Sequence, residues 1–393
     1  MTAQRDWLIV FGLALGVCIS NAFARFAYGL ILPAMQNDLG WNYTQAGWIN
    51  TANALGYIAG ALLTFASIGR IKAPTLFIAG LLVTSLSLLA IGFGSGFWYL
   101  TFWRIMAGVA GAPVFIAGGA MASSLFPDDP RKNALAIAAY FGGGGLGMLL
   151  SGAVLPGLFD VRGPTVWPLA WLGLGIASFV MTPLSIWAAR QIAVPRKSAA
   201  ADGSLPVRRM AFALSGYGLF ATGYIVYVTF IVAWMRALDM SAAMVSLCWV
   251  LIGAGIISSP FVWKPVLARF ASGVPLALAC VVTGLATLGP VLLPNIAGLL
   301  LSAICFGLAV FIGPGAVTSF GRKNLPQAQW GKSVSLFTLI FAIGQTIGPV
   351  AAGAVGDLTG TLSAGLLCAG LILLLAAMLA ALQQPLGQEN ASR

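Results

Sequence analysis

Arg25 and Arg104 both lie inside long apolar stretches that contain no acidic residue. A charge placed in hydrocarbon costs roughly 2.5–3.5 kcal/mol on insertion scales. Each arginine therefore needs polar partners or a wet cavity. A guanidinium presents parallel N–H groups that match the two oxygens of a carboxylate, so an arginine without a resident counter-ion is a candidate receptor for an anion. Helical spacing supplies polar company. Asn21, Arg25 and Tyr28 share a face by i, i+4, i+7. Asn50, Asn53 and Tyr57 likewise share a face, as do Tyr217, Tyr224 and Tyr227, and Gln345 adds an amide. Helical rise puts Arg25 about 15 Å and Arg104 about 10 Å below the outer ends of their helices.

The expectation is a positive, polar substrate site for a small organic anion such as a carboxylate. It would be built from Arg25, Asn21, Tyr28, Asn50, Asn53, Tyr57, Arg104, Tyr224, Tyr227 and Gln345. The competing reading keeps both arginines structural, bonded to backbone carbonyls and amides, with the tyrosines as packing. The function would then be efflux of apolar drug-like compounds.

Other chemistry finds little support. Histidine is absent, so no nucleophile–base pair can be assembled and an enzyme is not expected. The five cysteines fall in apolar runs without metal-ligand spacing, so neither metal nor other cofactor is expected. Gly142, Gly144 and Gly147 satisfy a GxGxxG spacing, but no strand precedes them and helix packing explains them. Proton coupling needs a group that titrates near neutrality. With no histidine and no buried carboxylate, the expectation is exchange, facilitated diffusion, or a proton carried by the substrate or by a cavity-mouth carboxylate such as Asp38.

The elements that must hold these residues follow from composition. The 393-residue chain is 60% hydrophobic and 7% charged; a soluble domain carries about 25% charged residues. Lipid is the solvent that tolerates such a surface, and repeated runs of about 20 apolar residues mean a helical bundle. Twelve runs are legible: 7–35, 44–68, 74–93, 97–125, 134–158, 165–188, 209–235, 241–263, 273–293, 295–320, 333–356 and 361–382. The first is too long for a cleaved signal and reads as a retained helix. All nine acidic residues map to loops, linker or tails on this division.

A net charge of +11 is scattered singly and in pairs, which argues against nucleic acid. It reports topology instead. Sixteen of the twenty lysines and arginines fall on the side of the two termini, and only Arg162 and Arg236 on the other. That split predicts cytoplasmic termini. Residues 189–208 read as a cytoplasmic linker between six-helix bundles at 1–188 and 209–393. The halves resemble one another: Pro113 and Pro314 are 201 residues apart, and Gly147 and Gly152 match Gly348 and Gly353 at the same offset.

Six plus six helices, inside termini, a basic central loop and a parallel repeat together resemble the major facilitator superfamily. Arg104, Gly108 and Gly111 resemble its fourth-helix motif. Gly69-Arg70-Ile71-Lys72 is a degenerate form of its basic loop, without the usual aspartate. Residues from Phe23 through Arg25, Tyr28, Gly29 and Pro33 to Met35, then Tyr43 to Trp48, resemble a bacterial subfamily of YbfB/YjiJ-type permeases. The resemblance implies an all-α membrane fold and a carrier working by alternating access in the bacterial inner membrane, with small molecule and lipid bilayer as partners. A monomer is expected. Gly108, Pro113, Gly147, Pro314, Gly348 and Pro349 are the expected gating positions, where helices 4, 5, 10 and 11 would bend.

Overall fold

The computed structural model describes residues 3–67, 70–192, 204–326 and 329–387. Among them are 12 helices long and apolar enough to cross a bilayer, and no strand. In chain order they are α1 Gln4–Leu39, α2 Tyr43–Ser67, α3 Ala73–Ile91, α4 Phe97–Ala122, α5 Arg131–Arg162 and α6 Pro164–Arg190. The second half holds α7 Val207–Ala237, α8 Ala242–Arg269, α9 Val274–Leu292, α10 Ile296–Asn324, α11 Trp330–Thr359 and α12 Leu362–Ala381. Residues 193–203 of the expected linker, with Asp202, lie outside the described residues, as do Gly69 and Glu389.

Several helices outrun their apolar stretches. Asp38, Asp160 and Asp357 sit in the last turns of α1, α5 and α11, and Asp6 in the first turn of α1. This corrects the expectation that every acid is in a loop, linker or tail. Intrahelical hydrogen bonds satisfy the backbone whether or not the side chain is apolar, so helices continue into the polar boundary until something stops them. Gly40 and Gly360, both at positive φ, end α1 and α11.

The helices form two bundles, α1–α6 and α7–α12. α3, α6, α9 and α12 make their main contacts within their own half, while α2 meets α11, α5 meets α8, and α1 meets α7 across the divide. Twelve crossings return the chain to its starting side. The termini therefore share one end, the terminal end; the other is the distal end. Hydrogen bonds join the halves in the distal half of the molecule: Asn50 to Thr229 Oγ1, Thr51 Oγ1 to the Thr346 carbonyl, and Tyr43 and Thr44 to Asp357.

Two helices depart from α geometry in their interiors, besides the 3-10 turns that open α6 and α7. Residues Cys18–Phe26 of α1 are π-helical. α10 is interrupted at Phe311, between Ile296–Val310 and Ile312–Asn324. Pro314 explains the second: it has no N–H to give to the Val310 carbonyl. α4 runs unbroken through Pro113, as α11 does through Pro349.

Candidate functional site

Arg25 projects from the π-helical part of α1. There the backbone bonds run i to i+5, as in Ala27 N–H to the Ala22 carbonyl at 2.7 Å. In this wider turn Asn21, four residues back, and Ser20, five back, fall on the face of the helix that carries Arg25. Ser20 Oγ, Asn21 Nδ2, and Arg25 Nε and Nη2 are all buried without a hydrogen-bond partner. The whole Arg25 residue is 6% exposed. Its guanidinium carbon lies 5.4 Å from the centre of the Tyr57 ring of α2, a cation–π contact that leaves the N–H groups free. Nε and Nη2 share one edge of the guanidinium, and that edge accepts a carboxylate side-on.

An aromatic wall in the other half stands close to this cluster. Tyr224 of α7 feels the charge of Arg25 and the Tyr57 phenol. Its hydroxyl accepts from Gln345 Nε2 of α11 at 2.7 Å. Phe341 of α11 stacks on Tyr224 at 5.6 Å and on Tyr217 at 4.9 Å. Phe341, Tyr57, Phe115 and Phe141 are half-buried, the last three forming a second aromatic group on the amino-terminal side.

Arg104 is placed otherwise. Nε donates to the Ile49 carbonyl at 3.3 Å, Nη1 donates to the Ala24 carbonyl, and Nη2 reaches Asn50 Oδ1 at 3.4 Å. Its guanidinium lies over Tyr28 at 5.0 Å and Trp171 at 5.5 Å. It ties α4 to α1 and α2. Gly108 permits this approach, because a β-carbon there would collide with the Asn53 carbonyl. Asn53 Nδ2 in turn donates to the Arg104 carbonyl at 3.1 Å. Asn50 extends the network across the divide, donating to Thr229 Oγ1 at 2.6 Å.

The ten expected site residues thus divide. Tyr57 and Tyr224 lie near the Arg25 guanidinium, Gln345 is bonded to the Tyr224 hydroxyl, and Asn21 is one turn from Arg25 on α1. Asn50 and Asn53 serve Arg104. Tyr28 does too, its hydroxyl donating to the Ala46 carbonyl at 2.7 Å. Tyr227 turns into its own half, bonded to Ser302 Oγ at 2.7 Å and stacked on Phe306 at 4.1 Å. Seven residues bring a helix back to nearly the same direction, so Tyr224 follows Tyr217, whereas Tyr227, three residues on, is turned by about 60° from Tyr224 and reaches the neighbouring α10 instead. Asp38 accepts from Trp167 Nε1 at 2.7 Å, tying α1 to α6. Ser20, Thr229 and Phe341 complete these clusters and were not expected from sequence. A π-helical segment leaves no mark in apolar periodicity, and serine, threonine and phenylalanine are ordinary packing residues in membrane helices.

Four of the expected gating positions, Gly108, Gly147, Gly348 and Pro349, lie at close helix contacts. A β-carbon at Gly147 would strike Ala22 and Cys18 of α1, and one at Gly348 would strike the Thr222 carbonyl of α7. The Pro349 carbonyl abuts Gly47 of α2 in the opposite half. Two surface clefts of about 270 Å³ lie at the distal end, among Asn37, Phe159 and Arg236, and at the terminal end, among Arg322, Trp330 and Ser333. Neither is lined by Arg25.

Residues 14–381 match the family described as "Uncharacterised MFS-type transporter YbfB". The chain belongs to this family. It is a multi-pass membrane transporter of the major facilitator fold, and not an enzyme. Solved structures agree in fold. A bacterial homologue of the human lysosomal transporter Spinster, inward-facing and unoccupied, superposes with a TM-score of 0.72 at 15% identity over 98% of both chains. The nucleoside transporter NupG, in a mutant form, gives 0.68 at 12% identity over 95% of this chain and 98% of its own. In sequence, a chloramphenicol resistance protein of Streptomyces lividans is 28% identical over 201 residues, 50% of this chain and 48% of that protein. The transporter thus matches about half the length of that relative.

Proposed function

We propose that this transporter carries a small organic anion by alternating access, with Arg25 as the residue that takes the negative group. The observation that supports the reading is the buried Nε–Nη2 edge of Arg25, which no protein group pairs. Buried donors are nearly always paired, and an unmade bond costs about 1–3 kcal/mol. Asn21 Nδ2 and Ser20 Oγ, one turn back on the same helix, are also unpaired. A bound carboxylate would satisfy the edge and supply the counter-charge that the membrane interior lacks. Arg104, already bonded on three sides, is read as the strut that fixes α1, α2 and α4 around the site. The aromatic wall of Tyr57, Tyr224 and Phe341 would cover the organic part.

The charge split argues that both termini are cytoplasmic and that the protein sits in a bacterial inner membrane. The distal end is then the outside, and the hydrogen-bonded closure there corresponds to an inward-facing state. The site is complete within one chain, which fits a monomer. Exchange and facilitated flux, in either direction, are both open to such a carrier. A second reading draws on the chloramphenicol resistance relative: export of an apolar drug-like compound on the aromatic wall, with Arg25 a bystander.

The test is thermal stabilisation of the purified protein by panels of organic anions and hydrophobic cations, repeated with Arg25→Ala. Stabilisation by anions that disappears in the variant supports the first reading. Stabilisation by uncharged or cationic compounds that survives Arg25→Ala supports the second and removes the first.

A further inference from the structure

Asp357 belongs to the carboxy-terminal half, near the distal end of α11, yet its carboxylate is bonded to the other half. Oδ1 accepts from the Tyr43 backbone N–H at 2.8 Å. Oδ2 accepts from the Thr44 backbone N–H at 2.9 Å and from the Thr44 hydroxyl at 2.5 Å. Tyr43 and Thr44 open α2. The first N–H groups of a helix have no partner within it. Asn42 and Gln45 deal with part of this locally. Asn42 Oδ1 accepts from Gln45 N–H at 2.8 Å and Gln45 Oε1 accepts from Asn42 N–H at 3.1 Å. The Asn42 carbonyl accepts from Ala46 N–H at 3.1 Å. This capping box leaves two donors, and Asp357 takes both.

The placement suits a clasp. A carboxylate is favoured at the positive end of a helix dipole, and hydrogen bonds to an ionised acceptor are the strong kind. The backbones of α2 and α11 are pressed together over the two turns that precede Asp357. A β-carbon at Gly353 would strike the Tyr43 carbonyl, and one at Gly47 would strike the Pro349 carbonyl. The matching loop at the terminal end, Arg70-Ile71-Lys72 between α2 and α3, carries no carboxylate that could act in the same way.

We propose that Asp357 is the latch of the distal gate: its bonds to the start of α2 hold the carrier closed at that end, and their release is a necessary step in opening it. Asp357 is a positioning residue, because it sets which state the protein rests in and touches no substrate. The proposal stands apart from the nature of the substrate, so failure of the anion reading leaves it intact.

The test reads conformation directly. Val161 ends α5 in one half and Leu238 follows α7 in the other, 80% and 51% exposed. In the full-length protein, with its five cysteines replaced by alanine, Val161→Cys and Leu238→Cys carry spin labels. Pulsed dipolar spectroscopy in nanodiscs then gives the distance between the halves at the distal end. The parent should show mainly one short distance. Asp357→Asn should raise a longer, open population about tenfold, and Asp357→Glu should return most of it to the short distance. Thermal unfolding should show all three proteins folded. Thr44→Val, which removes one bond of the three, should shift the balance in the same direction by less. If Asp357→Asn and Thr44→Val both keep the parent distribution, the latch does not exist. If Asp357→Glu opens the gate as fully as Asp357→Asn, the carboxylate is not what holds it.

Discussion

Lysine in place of Arg25 keeps the charge and loses the edge. An ammonium is a point charge on a flexible stem and cannot offer two parallel N–H groups. Arg25→Lys is therefore expected to weaken anion binding by on the order of tenfold or more while the protein stays folded; a titrated thermal shift or calorimetry checks it. An affinity equal to the parent would mean that charge alone suffices. Arg104 gives the opposite pattern. Removing it strips bonds from the Ala24 and Ile49 carbonyls and from Asn50. Arg104→Ala should cost stability, on the order of 2–5 kcal/mol given what hydrogen bonds contribute in membranes and at charged groups. Its unfolding temperature should fall well below that of Arg25→Ala. Equal stability in the two variants would contradict the division of roles. Much of this was legible in the sequence, because an intramembrane charge advertises itself. Which of the two arginines is saturated was not. That depends on carbonyls, which every residue has, and on Gly108 letting α4 close on α2.

The helices themselves were easy to find and their irregularities were not. Twelve apolar runs predict twelve spans, since the bilayer sets a length that composition must meet. The ends slipped, as α1 and α11 carry Asp38 and Asp357 inside their last turns. The π-helical stretch of α1 is invisible to periodicity, yet its wider turn brings Ser20 and Asn21 onto the face of Arg25. Pro314 did announce the break in α10, whereas Pro113, its repeat partner, breaks nothing. Close helix contact gives an element-scale prediction. Gly108→Leu places a side chain against the Asn53 carbonyl. It should destabilise the amino-terminal bundle by about 1–3 kcal/mol, the usual range for overpacking. Gly142→Leu, where a β-carbon meets nothing nearby, should cost far less. Comparison of detergent-unfolding midpoints for the two variants is the check, and equal midpoints would remove α4–α2 packing from the account.

At the scale of the whole molecule, the distribution of titratable groups constrains what can drive transport. There is no histidine anywhere in the chain. The described carboxylates lie at helix ends or in loops, and the two best placed are occupied: Asp38 accepts from Trp167 and Asp357 from the start of α2. A carrier that moves a proton with each substrate needs a group at the site that changes charge near neutral pH, and the cluster around Arg25 offers amides, a hydroxyl, phenols and a guanidinium. Arginine does not deprotonate in this range. The expectation is that reconstituted protein exchanges labelled for unlabelled anion across the vesicle membrane at a rate set by the substrate gradient. An imposed pH gradient should change that rate only as far as it changes the ionised fraction of the substrate itself. The decisive measurement uses an anion that stays fully ionised across the neutral range. Uptake against its own gradient, driven by a proton gradient and abolished by an uncoupler, would mean that a carboxylate now tied up at the distal end takes part in each cycle. Counterflow indifferent to the uncoupler would place the driving force in the substrate alone.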